Sequence, residues 1–364
     1  MTGDGALTGG GLIGGGLIGG GLIGGGLIGG GLIGGGLIGG GGLTGDGGAL
    51  TGGGGVRLDG ARIAVTGAGG FCGAAVARAA ARVGAEVVCV GRRPGPVGRH
   101  RFWDATGAPP DLTGVDVVVH LAAAVGDPVP GRAAEAAYRA VNVGGAARLI
   151  AAASGRPLVW VSSASVYDPR VRPAGPVRED HPVGGQRSAY GRTKAAGEAL
   201  ALAAGAVVLR PRAVYGPGDP HLLPRLRAAV RGRLLPVPGP DAPMSLTAVE
   251  NLADACLLAP GWPAGAYNIA DARPYPRDAT LRAALAAAGR PVRVVHVPVA
   301  LAMGAAAGAT GLARLRGAGA PRLTRYAVEQ LARPLVLDLE RALARGFRPR
   351  RSFADHLGTD DQIG

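Results

Sequence analysis

Beyond Arg62 the chain alternates short, nearly continuous apolar runs with longer Ala-rich stretches, and glycine turns separate the two. Arg62–Thr66, Glu86–Val90, Val115–Leu121, Pro157–Ser162 and Ala206–Arg210 read as strands, with a brief further one at Ala266–Ile269. Their near-continuous apolarity means that both faces are covered. Helices are predicted over about Phe71–Val83, Ala133–Ser154 and Ser188–Ala204. Such strands separated by helices indicate an α/β fold, a parallel sheet wound on both faces. After about Pro217 the pattern loosens into prolines and short helices, which reads as a smaller, C-terminal substrate-binding lobe. Val297–Ala313 is apolar but rich in Ala and Gly, too short and too weakly hydrophobic for a membrane span. It is predicted to be a buried helix of that lobe, with a membrane-surface contact as the alternative.

Residues 1 to about 55 follow neither period. Gly-Gly-Gly-Leu-Ile recurs there every five residues from about Gly11 to Gly40. Glycine at that density carries a large ordering entropy, so residues 1–55 are predicted to be a disordered tail. The segment has no basic start and no continuous apolar run, so it reads as neither a signal peptide nor a membrane span.

Composition sharpens this only in places. Hydrophobic residues make up 47% of the 364 residues and aromatics 4%, so the core is built from Ala, Val and Leu. The net charge of +14 comes from arginines scattered along the chain, without a basic stripe, which argues against a nucleic-acid partner. Cys72, Cys89 and Cys256 are odd in number and lack metal-ligand spacing. They read as small buried hydrophobes in a reducing cytoplasm, and no metal is expected. Lysine has been replaced almost everywhere by arginine; the single lysine of the chain is Lys194. A position that kept lysine calls for a compact ammonium.

Between the first strand and the first helix lies Thr66-Gly67-Ala68-Gly69-Gly70-Phe71-Cys72-Gly73. Gly67 makes the tight turn, Gly70 lets backbone approach a pyrophosphate, and Gly73 lets the helix sit close to the sheet. The helix start at Phe71 and Cys72 then offers amides and a positive dipole end to phosphates. After the second strand stand Arg92 and Arg93 rather than a carboxylate. Two guanidinium groups suit a 2′-phosphate, which favours NADP(H) over NAD(H). Asp104 sits where a carboxylate could meet the adenine amino group. Leu121, Ala122 and Ala123 close the strand after His120, and their small side chains would let a flat cofactor lie against the sheet edge.

Tyr190 and Lys194 are four apart in a helical stretch, hence on one face. An unperturbed phenol, with a pKa of about 10, is a poor proton donor or acceptor near neutrality. A neighbouring ammonium is expected to lower that pKa toward working pH and to hold the cofactor ribose. A hydroxyl near a strand end could polarise a carbonyl, and Ser162, Ser163 and Ser165 are the candidates.

These residues are similar to the extended short-chain dehydrogenases, also called the NAD-dependent epimerase/dehydratase family. The resemblance runs from Arg62 to about Leu357 through TGAGGFCG, DVVVHLAA, VNVGG, VSSASVY, YGRTK, LRPRAVYGPGD, GAYNIAD and GFRPRRSFADHL. It implies a Rossmann-like doubly wound sheet over 56–216, with 217–364 mainly forming the substrate lobe. It singles out Ser163, Tyr190 and Lys194 as catalytic, and Asn142 as arranging the cofactor site. Pro211 through Val214 would lie near the nicotinamide carboxamide. Ala213 replaces the asparagine that sugar-nucleotide enzymes of the family use on a diphosphate, and with Leu222, Leu223 and Leu226 this suits an apolar substrate. The chain looks most like the 3β-hydroxysteroid dehydrogenase branch, which includes reductases of long-chain β-keto acids. The resemblance therefore implies hydride transfer between NADP(H) and a secondary alcohol or ketone, in a cytoplasmic homodimer. A nucleotide-sugar epimerase or dehydratase holding NAD, and a non-catalytic dinucleotide sensor, are the alternatives.

Overall fold

The structure, a computed structural model, describes residues 56–357 apart from 127, 129, 221, 317–320, 322 and 334. The tail of residues 1–55, expected to be disordered, lies outside the described residues. Strands β1 (Arg62–Thr66), β2 (Glu86–Gly91), β3 (Arg99–Phe102), β4 (Val117–His120), β5 (Leu158–Val161) and β6 (Val207–Pro211) follow in chain order. Then come β7 (Val214–Tyr215), β8 (Leu234–Pro238), β9 (Pro243–Met244), β10 (Thr247–Ala248), β11 (Gly265–Ile269), β12 (Tyr275–Pro276) and β13 (Arg293–Val297). The helices are α1 (Phe71–Arg82), α2 (Arg132–Arg139), α3 (Ala146–Ala152), α4 (Ala189–Ala203), α5 (Leu222–Ala229) and α6 (Val249–Leu258). They continue with α7 (Arg277–Ala287), α8 (Val299–Leu315), α9 (Arg325–Ala332) and α10 (Glu340–Leu343).

Among the described residues, seven strands form one sheet in the order β11-β6-β5-β4-β1-β2-β3. Every neighbouring pair is parallel. This is the doubly wound α/β fold that the apolar runs predict. The order reverses at β1, so the carboxyl ends of β1 and β4 flank the crevice where ligands bind in such sheets. One face packs α1 and α6 over Ile63, Val65, Val119, Leu209 and Ile269. The other buries Trp103, Leu149, Trp160 and Val208. The last strand of the sheet, β11, and the helix α6 both come from beyond residue 217. Leu226, Leu235, Leu281 and Leu285 close a separate small core, against which Leu222 and Leu223 pack.

Three elements depart from the sequence expectation. β3, with the sequence Arg-His-Arg-Phe, has no apolar run because it is an edge strand, largely exposed and held through backbone bonds to β2. The predicted helix Ala133–Ser154 is interrupted by a π-helix over Ala140–Gly145, between α2 and α3. A methyl at Gly145 would lie 2.7 Å from the Ala105 side chain, so the chain passes too close to its neighbour for an ordinary side chain there. The expected burial of the Val297–Ala313 helix is corrected: in α8 only Ala306 and Ala313 are buried, while Leu301 is 66% and Leu315 87% exposed. Its small side chains are spread around the helix and form no wide apolar stripe to seat against a core. No helix among the described residues is long and apolar enough to cross a membrane.

α4 lies against the π-helix at the closest approach that glycine allows. A methyl at Gly197 would stand 2.4 Å from the Asn142 carbonyl oxygen and 3.2 Å from the Trp160 ring. Gly197→Ala is therefore expected to destabilise the fold by about 1–3 kcal/mol. Urea unfolding reads this directly, and an unchanged midpoint would show that α4 is free to shift.

Candidate active site

The glycine turn is shaped by clashes that any other residue would create. Gly67 has φ +70°, and a methyl there would lie 2.9 Å from the Ala122 backbone. Its amide donates to the Val90 carbonyl at 2.9 Å, and the Gly70 amide donates to the Gly67 carbonyl at 2.9 Å. At Gly73 a methyl would stand 2.2 Å from the Gly67 oxygen, so α1 starts in direct contact with the turn. Gly70 caps α1 without a side-chain bond, and the first turn carries no acid. The amides of Phe71, Cys72 and Gly73 are thus left for an anion.

Thr66 locks the turn to the end of β4. Its Oγ1 accepts from the amides of Leu121 and Ala122 at 3.0 and 3.1 Å and sits 2.8 Å from His120 Nδ1. With both amides donating, the hydroxyl proton goes to Nδ1, which assigns the ring proton to Nε2. Burial, then the charge of Lys194, holds the His120 pKa well below its ordinary value, so the ring is neutral. Leu121, Ala122 and Ala123 follow, half-buried, at the crevice. Asn142, in the π-helix, accepts from the Ala124 amide at 2.7 Å and donates to the Ala124 carbonyl at 3.1 Å and to Thr193 Oγ1 at 3.0 Å. It ties the loop after β4 to α4.

Arg92 and Arg93 are exposed at the end of β2, and Arg93 Nη2 reaches the Gly69 carbonyl at 3.4 Å. Asp104 spends one carboxylate oxygen on its own turn, accepting from the Thr106 amide at 2.8 Å and hydroxyl at 2.7 Å. Those two bonds, and more weakly Arg92, hold its pKa below the usual range.

Ser188 caps α4, its Oγ accepting from the Gly191 amide at 3.0 Å, and Tyr190 and Lys194 project from the helix one turn apart. The three candidate serines separate. The Ser163 hydroxyl acts on the Tyr190 phenol and lowers its pKa. Ser162 Oγ instead donates to Glu198 Oε2, and Ser165 Oγ is buried without a hydrogen bond among the described residues. Lys194 Nζ donates to the Val161 carbonyl at 2.7 Å and lies 5.6 Å from the centre of the Trp160 ring. Burial lowers its pKa to about 8, against a smaller raising effect of Glu198.

The expected lowering of the Tyr190 pKa by Lys194 is corrected. Burial pushes the phenol up from its ordinary value, nearby Tyr326 adds to this, and the Ser163 hydroxyl opposes both. Lys194 is turned toward Val161 and the strand end, and desolvation prevails. Cys72, at the helix start after the glycine turn, also raises the Tyr190 pKa. Pro211 ends β6 and Val214 begins β7, at the same carboxyl edge of the sheet.

Sequence reading missed Thr66, His120, Trp160 and the buried pair Glu198–Arg210, whose closest N···O distance is 2.5 Å. Glu198 carried a usable signal, since it follows Lys194 by four residues on the same helix face. Tyr326 carried none, because α9 is brought over Tyr190 from far along the chain. The leucines read as substrate-facing, Leu222, Leu223 and Leu226, contribute instead to the small core around Leu235 and Leu285.

Residues 63–270 match the NAD dependent epimerase/dehydratase family. A 2-alkyl-3-oxoalkanoate reductase of Stenotrophomonas maltophilia is 33% identical over 324 residues, which cover 80% of this chain and 96% of that one. A 4-hydroxy-2-methyl-3-oxo-4-farnesyl-3,4-dihydroquinoline-1-oxide ketoreductase of Stigmatella aurantiaca is 33% identical over 245 residues, 64% of this chain and 72% of the other. Among solved structures, MoeE5 in complex with UDP-glucose and NAD superposes with a TM-score of 0.62 at 25% identity, covering 82% and 97% of the two chains.

The buried ammonium has a consequence for stability. Its folded pKa of about 8 lies below the roughly 10.4 of an unfolded lysine, so below pH 8 the burial penalty is complete. Between the two values the unfolded chain holds a proton that the folded chain has shed, and stability rises with pH. Wild type should therefore gain melting temperature relative to Lys194→Met from about pH 7 to about pH 10. Parallel melting curves across that range would remove the depressed pKa.

Proposed function

The chain belongs to the NAD dependent epimerase/dehydratase family, and on that premise we propose that it is an oxidoreductase that exchanges hydride between NADP(H) and a ketone or secondary alcohol on a largely apolar substrate. The observation that carries this reading is Tyr190 one helical turn from buried Lys194, with the Ser163 hydroxyl acting on its phenol at the end of β5.

The glycine turn fits a dinucleotide pyrophosphate, because Gly67 and Gly73 leave room for backbone alone and the first amides of α1 are uncapped by side chains. Phe71, Cys72 and Gly73 would hold the phosphates there. Leu121, Ala122 and Ala123 would flank the bound group, and Asn142 fixes the loop they begin. Asp104 keeps its second carboxylate oxygen for the adenine amino group, and Pro211 and Val214 would border the nicotinamide. Bound in this way, the cofactor supplies the hydride.

On the substrate side, the Ser163 hydroxyl holds the carbonyl oxygen and Tyr190 gives it a proton. Burial keeps the phenol protonated near neutrality, which suits donation to an oxygen that gains charge as the ketone is reduced. Lys194, anchored on the Val161 carbonyl, would grip the ribose of the cofactor. An apolar substrate agrees with Ala213, which offers no polar group to a diphosphate, and with relatives named for acting on an alkyl oxoalkanoate and a farnesylated dihydroquinoline.

Tyr190→Phe is expected to reduce turnover at least about a hundredfold while dinucleotide binding persists; activity close to wild type in that variant would refute the role. Purified protein that retains NAD and interconverts nucleotide sugars would favour the epimerase alternative. A separate test concerns cofactor choice. Replacing both Arg92 and Arg93 by Gln should raise the KM for NADPH about ten- to a hundredfold and spare NADH, since hydrogen bonds to a charged phosphate are lost. Equal effects on both cofactors would leave the arginines as surface charge.

A further inference from the structure

A cavity of about 80 Å³ opens beside the loop that carries Ser163, walled by that loop, by the end of β6 and by α9; Ser165, Gln186, Arg212, Tyr326 and Gln330 are among its lining residues. Two buried polar atoms on these walls, Arg212 Nε and Ser165 Oγ, make no hydrogen bond among the described residues. The two fully buried arginines among the described residues are each matched by a carboxylate, Arg210 by Glu198 at 2.5 Å and Arg277 by Asp278 at 3.0 Å. Arg212 is not. Its terminal nitrogens are held by neutral groups only, the Gln330 side chain and the Gln330 carbonyl, the latter at 3.1 Å.

The acids that share the cavity are already engaged: Asp168 by Arg170 at 2.6 Å and Glu329 by Arg187 at 2.8 Å. A half-buried guanidinium whose Nε is shut off from water and which lacks a counter-charge is unfavourable, and an anion from solution offsets that penalty. The cavity has room for a carboxylate. Its position ties it to the loop of Ser163, because the Ser165 amide donates to Ser163 Oγ at 3.2 Å and Tyr326 acts on both Tyr190 and Arg212.

We propose that Arg212 and Ser165 form a carboxylate-binding subsite beside Tyr190, so that the substrate is a 3-oxo acid held through its acid group. This rests on the ketone-reduction reading and deepens it. A 3-oxo acid carries its carboxylate two bonds from the carbonyl carbon, so the group that grips the acid must stand beside the group that grips the ketone. Ser165 and Ser163, two residues apart on one loop, meet that demand. The alkyl chains leave the cavity toward the open side.

The test compares a 2-alkyl-3-oxo fatty acid with its methyl ester, using NADPH and full-length protein. Wild type is expected to prefer the acid, chiefly through KM. Arg212→Met should narrow the acid-over-ester preference in kcat/KM by about ten- to a hundredfold, the range for a lost hydrogen bond to a charged group. Arg212→Lys should restore part of it, because an ammonium lacks the fork. If Arg212→Met does not fold, Arg212→Lys and Ser165→Ala carry the test, each raising the KM of the acid more than that of the ester. Wild type that reduces both equally well, or variants that lose both in proportion, would overturn the subsite and leave ketone reduction standing. Wild type that reduces neither would overturn the reading and the subsite together.

Discussion

A methyl group at Gly73 would stand 2.2 Å from the Gly67 oxygen, and one at Gly197 2.4 Å from that of Asn142. The molecule is organised around these two close approaches of backbone to backbone. The first brings the start of α1 onto the end of β1, where its uncapped amides can meet an anion. The second lays α4 against the π-helix and Trp160, which fixes how far Tyr190 and Lys194 reach over the sheet. Thr66 and Asn142 then pin the intervening loop from both sides, one to the end of β1 and the other to Thr193. Interiors this dense transmit small changes of volume into displacement of the site.

The same tight packing excludes water, and the titratable groups respond in opposite directions to that one cause. Burial pushes Tyr190 upward and lowers Lys194, His120 and Arg212. In each the shift is toward the neutral form. A neutral phenol is a proton donor, and a neutral His120 with its proton on Nε2 is a fixed partner for Thr66. The two cations do not escape the penalty so easily, which makes the region receptive to negative charge. Phosphates, a developing oxyanion and a carboxylate all answer that demand, and in a dry site their hydrogen bonds are stronger than in water.

How much of this the sequence discloses depends on whether a feature is local. The strands announced themselves because both their faces are covered, and the glycine spacing because backbone contact tolerates nothing else. The Tyr190–Lys194 spacing was plain, and the single lysine drew attention to it. β3 stayed hidden since an edge strand needs only its backbone, and the π-helix because nothing in the local Ala- and Gly-rich sequence marks it. The direction of the Tyr190 pKa was misjudged for a related reason: the helix spacing shows the nearby ammonium but neither the desolvation of the phenol nor the approach of Tyr326. Exposure of α8 was unreadable because Ala and Gly suit a buried or a solvated helix equally.

Tyr190, Lys194 and Glu198 recur every four residues and form one stripe of α4. That stripe meets three consecutive residues at the end of β5: Tyr190 is acted on by the Ser163 hydroxyl, Lys194 bonds the Val161 carbonyl and Glu198 the Ser162 side chain. Left alone, Glu198 would pair with Lys194 and neutralise the one ammonium of the chain. Arg210 prevents this by holding the other carboxylate oxygen at 2.5 and 3.0 Å, while its guanidinium lies 4.8 Å from the centre of the Tyr167 ring. Replacing such a buried pair by apolar residues is often neutral for stability, so stability alone gives it no purpose. Its position explains it better. By occupying Glu198, Arg210 keeps the positive charge of Lys194 available to the crevice and fixes Ser162, which in turn sets the adjoining Ser163 toward Tyr190.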